Sequence, residues 1–128
     1  MRKIVVYELL SLDGVAEDPD GFIVDWDDAM NANLAAVIAT QDAVILGRRS
    51  YTEWAQFWPG SQIEPFATFI NGVTKYVATS TPLDRDWAKA TAVDGRRLLD
   101  GLPSIQLESI RSEMSPVGYL LVDYRVIR

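Results

Sequence analysis

No cysteine and no histidine occur anywhere in the chain. The first absence excludes disulfides and thiolate metal sites. The second removes the commonest zinc ligand, the commonest general base and every hydrolase arrangement that relies on imidazole. Basic residues are scarce: none lies between Lys3 and Arg48, and 12 Lys and Arg against 18 Asp and Glu leave a net charge of −6. Duplex binding depends on cations that neutralise phosphates, so no nucleic-acid partner is expected. Long apolar runs are missing too. Met1-Arg2-Lys3 and Ile4-Val5-Val6-Tyr7 open like a secretory signal, but Glu8 interrupts after four residues and no small-residue cleavage site follows. No stretch reaches membrane-spanning length. The expectation is a cytoplasmic protein without a membrane partner.

What is present is the composition of a folded domain. Hydrophobic residues make up 48% and charged residues 23%, too apolar for a disordered chain, and 128 residues suffice for one domain with a core. Lys3 to Leu10 is short, apolar and rich in β-branched residues, which predicts a buried strand. Ser11-Leu12-Asp13-Gly14 ends it. A loop follows to about Asp28, carrying seven acidic side chains; loops of that length are often functional. A helix is expected over residues 29–40, with Asp27 or Asp28 as N-cap and Met30, Leu34, Val37 and Ile38 on its core face. Ala43 to Leu46 reads as a second strand, closed by Gly47. Capping-box patterns at Ser50-Tyr51-Thr52-Glu53 and Ser61-Gln62-Ile63-Glu64 predict two further helices, the latter ending at Gly72. Val73 to Ser80 reads as a third strand. Residues 105–113 and 118–127 then form an antiparallel hairpin, with Leu120, Val122, Tyr124 and Val126 on one face.

This order predicts an α/β protein: a mixed, mostly parallel sheet flanked by helices, with the hairpin at its end. Ligands on such sheets bind beyond the carboxyl ends of the strands. That rule selects Ser11 to Gly14, Gly47 to Ser50 and Thr79 to Thr81. Gly47-Arg48-Arg49-Ser50 joins a strand to a helix N-terminus, where glycine permits close approach and free N–H groups and the helix dipole favour an anion. The alternative is that Gly47 only turns the chain and the arginines are solvated. Thr79-Ser80-Thr81 offers three hydroxyls to a phosphate, or is an ordinary hydroxyl-rich strand end. Asp18-Pro19-Asp20-Gly21 fails as a calcium loop, because its glycine comes too early and the closing glutamate is misplaced. Tyr51, Trp54, Phe57 and Trp58 form an aromatic cluster suited to a core, a dimer contact or ring stacking.

Taken together, Ser11-Leu12-Asp13-Gly14, Leu46-Gly47-Arg48-Arg49-Ser50-Tyr51, Phe66-Ala67 with Asn71, Lys75-Tyr76-Val77 and Ser80-Thr81-Pro82-Leu83 resemble the dihydrofolate-reductase-like family. The likeness is nearest to the reductase domain of the bifunctional riboflavin-biosynthesis deaminase–reductase and its free-standing bacterial relatives. Gly95-Arg96-Arg97-Leu98-Leu99 and Gly118-Tyr119-Leu120-Leu121-Val122-Asp123-Tyr124 match that family's ending. The resemblance covers residues 1–94 and 95–128 as two blocks of a single domain. The family segment between them is missing here, with only Asp94-Gly95 at the join.

The resemblance implies an NADPH-dependent reductase acting on a small heterocyclic or carbonyl substrate. It implies Gly47, Arg48 and Ser50 at the cofactor phosphates, Thr79, Ser80 and Thr81 at the adenosine 2′-phosphate, and Leu12, Asp13 and Gly14 near the nicotinamide. Asp13 and Asp25 are the candidate proton donors in the acidic loop. The missing segment normally supplies half of the pyrophosphate cradle, so weak cofactor binding and impaired turnover are expected. A non-catalytic binding or assembly protein derived from the family is the alternative. A sheet that lacks strands beside its first strand also suggests a homodimer, with the C-terminal hairpin at the interface or exchanged across it.

Overall fold

A computed structural model describes residues 4–94 and 106–127. The match at Gly95 to Leu99, and Ile105 at the hairpin's start, lie outside the described residues. The elements are α1 (Asp28–Ile38), β1 (Ala43–Gly47), α2 (Arg48–Phe57), α3 (Phe66–Gly72), β2 (Thr74–Ala78), β3 (Ala90–Val93), β4 (Gln106–Met114) and β5 (Leu120–Ile127). They make a mixed α/β chain with two separate sheets. One is three-stranded and wholly parallel, in the order β1-β2-β3, and the other is the antiparallel hairpin β4-β5. The hairpin does not extend the parallel sheet, as the sequence reading had it.

Alternation along β1 and β2 decides which face is core. Leu46, Lys75 and Val77 are buried, whereas their neighbours Ile45 and Tyr76 are exposed and stand opposite each other in the register. Leu46, Tyr51, Ala55, Ile70, Val77 and Trp87 form the buried cluster, with Trp54, Trp58, Phe66 and Phe69 packed against it. The aromatic rings meet edge-on: Trp54 and Phe66 have centroids 5.6 Å apart at 89°, and Trp58 and Phe66 4.8 Å apart at 66°. That geometry brings ring edges to ring faces and adds to the burial term. The predicted cluster around Trp54 and Trp58 is therefore part of the packing of α2 on α3.

Of the two expected candidates it is Asp27 that caps α1, its Oδ1 accepting from the Met30 amide at 2.8 Å. Both predicted capping boxes are replaced by other arrangements. Helix α2 begins at Arg48 with Gly47 as N-cap, so Ser50 lies inside the first turn. Pro65 is the N-cap of α3, which starts at Phe66; Ser61 Oγ instead accepts from the Ile63 amide, and the Glu64 carboxylate accepts from the Thr68 amide and hydroxyl. Strand β3 has no counterpart in the sequence reading.

The predicted first strand is the largest correction. Residues 4–10 belong to no strand, and among the described residues no hydrogen bond engages their backbone. Their exposure still alternates, with Ile4 and Val6 at 85% and 82% but Val5 and Tyr7 at 39% and 36%. The pattern is that of a strand without a ladder. Among the described residues no helix is long and apolar enough to cross a membrane.

Candidate functional site

Parallel strands end on the same side of a sheet, and that brings the candidate residues together. Gly47 pairs with Ala78, which pairs in turn with Val93. Arg48 and Thr79 therefore leave adjacent strand ends, and the Thr79 amide donates to the Val93 carbonyl at 2.9 Å. Thr79, Ser80, Thr81, Pro82, Ala92, Val93 and Asp94 line an open depression of about 270 Å³ beside them.

Arg48 spans this edge. Its Nη1 donates to Thr79 Oγ1 at 3.2 Å, to Thr81 Oγ1 at 2.5 Å and to the Pro82 carbonyl at 2.7 Å, while Nη2 lies 4.0 Å from Asp84. The contacts with Thr and Pro use one corner of the guanidinium, whose five N–H groups form a fork suited to oxyanions. Thr79 Oγ1 also accepts from the Thr81 amide at 3.2 Å, which folds the strand end into a compact turn. Neither arginine of the pair is simply solvated. Arg49 is ion-paired to Glu17 and, at 3.1 Å, to Glu53, and these two carboxylates raise its pKa. The Glu17 contact ties the acidic loop to the start of α2.

Gly47 adopts an extended conformation (φ −75°, ψ 162°) that any residue tolerates, and a Cβ there would meet nothing within 4 Å. No side chain caps α2 at this point. The first amides of α2 thus have no side-chain cap from Gly47, at the positive end of the helix dipole. Ser50 follows in that first turn, half-buried.

Leu12, Asp13 and Gly14 form a separate exposed turn. Gly14 has φ +88°, a left-handed conformation favouring glycine, and donates to the Ser11 carbonyl at 3.0 Å. Ser11 Oγ donates to Asp13 Oδ1 at 2.5 Å, and this bond, with help from the local backbone, lowers the Asp13 pKa. Asp25 is exposed on the loop. The contacts described join Gly47 and Arg48 to Thr79–Thr81, but they do not draw residues 12–14 or Asp25 to the same edge. The sequence reading also missed Asp84 and Asp94, which follow β2 and β3. Among the described residues no group of three acidic side chains is placed to hold a metal ion.

No protein-family model and no curated protein matches the chain.

Proposed function

We propose that the chain binds the phosphate-bearing end of NADPH at the carboxyl edge of β1 and β2 and is a reductase of the dihydrofolate-reductase-like, riboflavin-biosynthesis type, its fold an internally shortened version of that family's. The convergence of an uncapped helix N-terminus, Arg48 and the Thr79–Thr81 hydroxyls on one open edge carries this reading. Arg48, Ser50 and the α2 amides would hold phosphate oxygens beside Gly47, with Thr79, Ser80 and Thr81 toward the 2′-phosphate. Leu12, Asp13 and Gly14 remain the nicotinamide-side candidates. A reduced nicotinamide supplies hydride; the chain supplies orientation, and a carboxyl such as Asp13 or Asp25 supplies a proton. Asp13 would need a ligand to raise its pKa before it could do so.

The depression is lined by Thr79 to Pro82 and Ala92 to Asp94, and its volume of about 270 Å³ lies below the usual range of ligand pockets. Affinity for the whole dinucleotide is therefore low. Calorimetric titration with NADPH and NADH tests this: weak binding that prefers NADPH and is lost in Arg48→Ala supports it. Absence of NADPH binding at millimolar concentration overturns it, and nanomolar binding refutes the weak-affinity part.

The second reading, a homodimeric binding or assembly protein without turnover, is favoured by the apolar surface left open on the hairpin and on residues 4–10. Oxidation of NADPH in the presence of small pterin, pyrimidine or carbonyl substrates separates the two.

A further inference from the structure

The hairpin is amphipathic in a way its cross-strand register makes explicit. On one face the pairs are Leu107 with Val126, Ser109 with Tyr124, Ser112 with Val122 and Met114 with Leu120. No charged residue lies among them. On the other face Glu108 is ion-paired to Arg125 at 2.7 Å and Arg111 to Asp123 at 2.8 Å. A bulge at Ile110 keeps both rows in phase across the irregularity in the register.

The uncharged face is open. Leu107 is 54% exposed, Met114 62% and Tyr124 58%, and every residue of β4 is exposed. Among the described residues the hydrogen bonds from the hairpin to the rest of the chain are made at its turn: the Tyr119 hydroxyl accepts from the Val24 amide at 3.1 Å, and the Val117 amide donates to Asp27 at 3.2 Å. A two-stranded hairpin without a covering layer is marginal in water, whereas these strands run to nine and eight residues.

We propose that this face packs against the same face of a second copy, with the two-fold axis running along the strands. Two observations select a second copy as the occupant. Burying both faces removes on the order of 1,000 Å² from water, the lower limit for a specific interface. The relief is also self-complementary. Along β4 the row dips at Ser109 and Ser112 between Leu107 and Met114, while β5 is raised at Tyr124. A two-fold along the strands lays each β5 over the other copy's β4, bringing each Tyr124 ring over the Ser109 of its mate. An isologous contact requires this kind of match of a surface to itself.

This inference sharpens the homodimer to a packed face rather than an exchanged hairpin, and it does not depend on cofactor binding. The chain's lack of cysteine gives a clean test. Ser109→Cys and Tyr124→Cys chains are prepared separately, mixed, and treated at micromolar concentration with a short bis-maleimide, because faces packed about 10 Å apart are too far for a direct disulfide. The expected result is a covalent dimer enriched in the mixture over either variant alone, and light scattering of the unaltered chain at twice 14.3 kDa. In Tyr124→Asp the dimer is lost while the far-ultraviolet circular dichroism and tryptophan emission of the α/β core are kept. A monomer of the unaltered chain overturns the proposal. So does a dimer that survives Tyr124→Asp, or one in which the mixed cross-link fails to form, either of which assigns the contact to hairpin exchange or to another surface.

Discussion

Lys75 Nζ stands 4.5 Å from the centre of the Trp87 ring, in a site where the lysine has no exposed surface. The ammonium donates to the carbonyls of Ile70 at 2.7 Å and Val73 at 2.9 Å, at the C-terminal end of α3. Trp87 is held in turn by its indole N–H, which donates to Asn71 Oδ1 at 2.8 Å. The cation thus meets a ring face and two helix-end carbonyls, all favourable to positive charge.

Lys75→Met keeps the bulk but leaves those carbonyls without their donor. Its expected cost is about 1–3 kcal/mol, the usual penalty for stranding buried polar groups. Urea unfolding followed by tryptophan emission measures it. A variant as stable as the original chain would mean that desolvation of the ammonium cancels its contacts.

The same site gives a signed pH dependence. Burial, aided by Lys89, lowers the Lys75 pKa from its ordinary 10.5. Between the folded value and 10.5 the unfolded chain holds more protons, so this group makes stability rise with pH across that window. Tyr51 acts oppositely: burial, with Asp86 and Asp84, raises its pKa above 10.0, so the stability it contributes is lost as pH climbs through the raised value. In alkaline urea titrations Lys75→Met should remove the rise, and Tyr51→Phe should remove part of the fall. Identical profiles for all three chains would contradict both assignments.

Asp27 joins two parts of the chain, since one carboxylate oxygen caps α1 and the other accepts from the Val117 amide of the hairpin turn. Desolvation opposes ionisation here, but the bonds from Met30 and Val117 outweigh it and lower the pKa from 3.8. The stability it contributes is present above 3.8 and is lost as pH falls through the lowered value. Asp27→Ala should lower the melting temperature by a few degrees at neutral pH and flatten the acid limb of the profile. It should also speed hydrogen exchange at Val117. Unchanged exchange there would show that the hairpin turn docks without this carboxylate.

Local rules account for what the sequence made legible. A carboxylate before an apolar-periodic stretch is enough to place the α1 cap at Asp27 or Asp28, of which the structure uses Asp27, and β-branched runs marked β1 and β2. The strand-end rule joined Gly47 to Thr79 because parallel strands share an edge, whatever lies between them in sequence. Residues 4–10 were misread because apolar composition identifies a potential strand but not its partner, and laddering is non-local. Strand β3 escaped because four residues, Ala90–Val93, carry too little pattern. Lys75 was legible in principle: alternation sets it on the face of Val77, and a lysine on a core face needs carbonyls or a ring to meet it.

Gly47 and Arg48 offer the sharpest separation of fold from ligand. The Gly47 backbone is unstrained and a Cβ has open space, so Gly47→Ala should leave folding stability within about 0.5 kcal/mol of the original. If a phosphate approaches that backbone, the added methyl group occupies its place and NADPH affinity falls about tenfold or more, with no change in the melting temperature. Arg48→Ala behaves differently, because its guanidinium also joins Thr79, Thr81 and Pro82. It should weaken binding and loosen the turn after β2, seen as faster hydrogen exchange at the Thr81 amide. Arg48→Lys restores the charge without the planar fork and should recover only part of the affinity. Gly47→Ala with unchanged NADPH binding would move the phosphate away from the start of α2, whatever the arginine variants did.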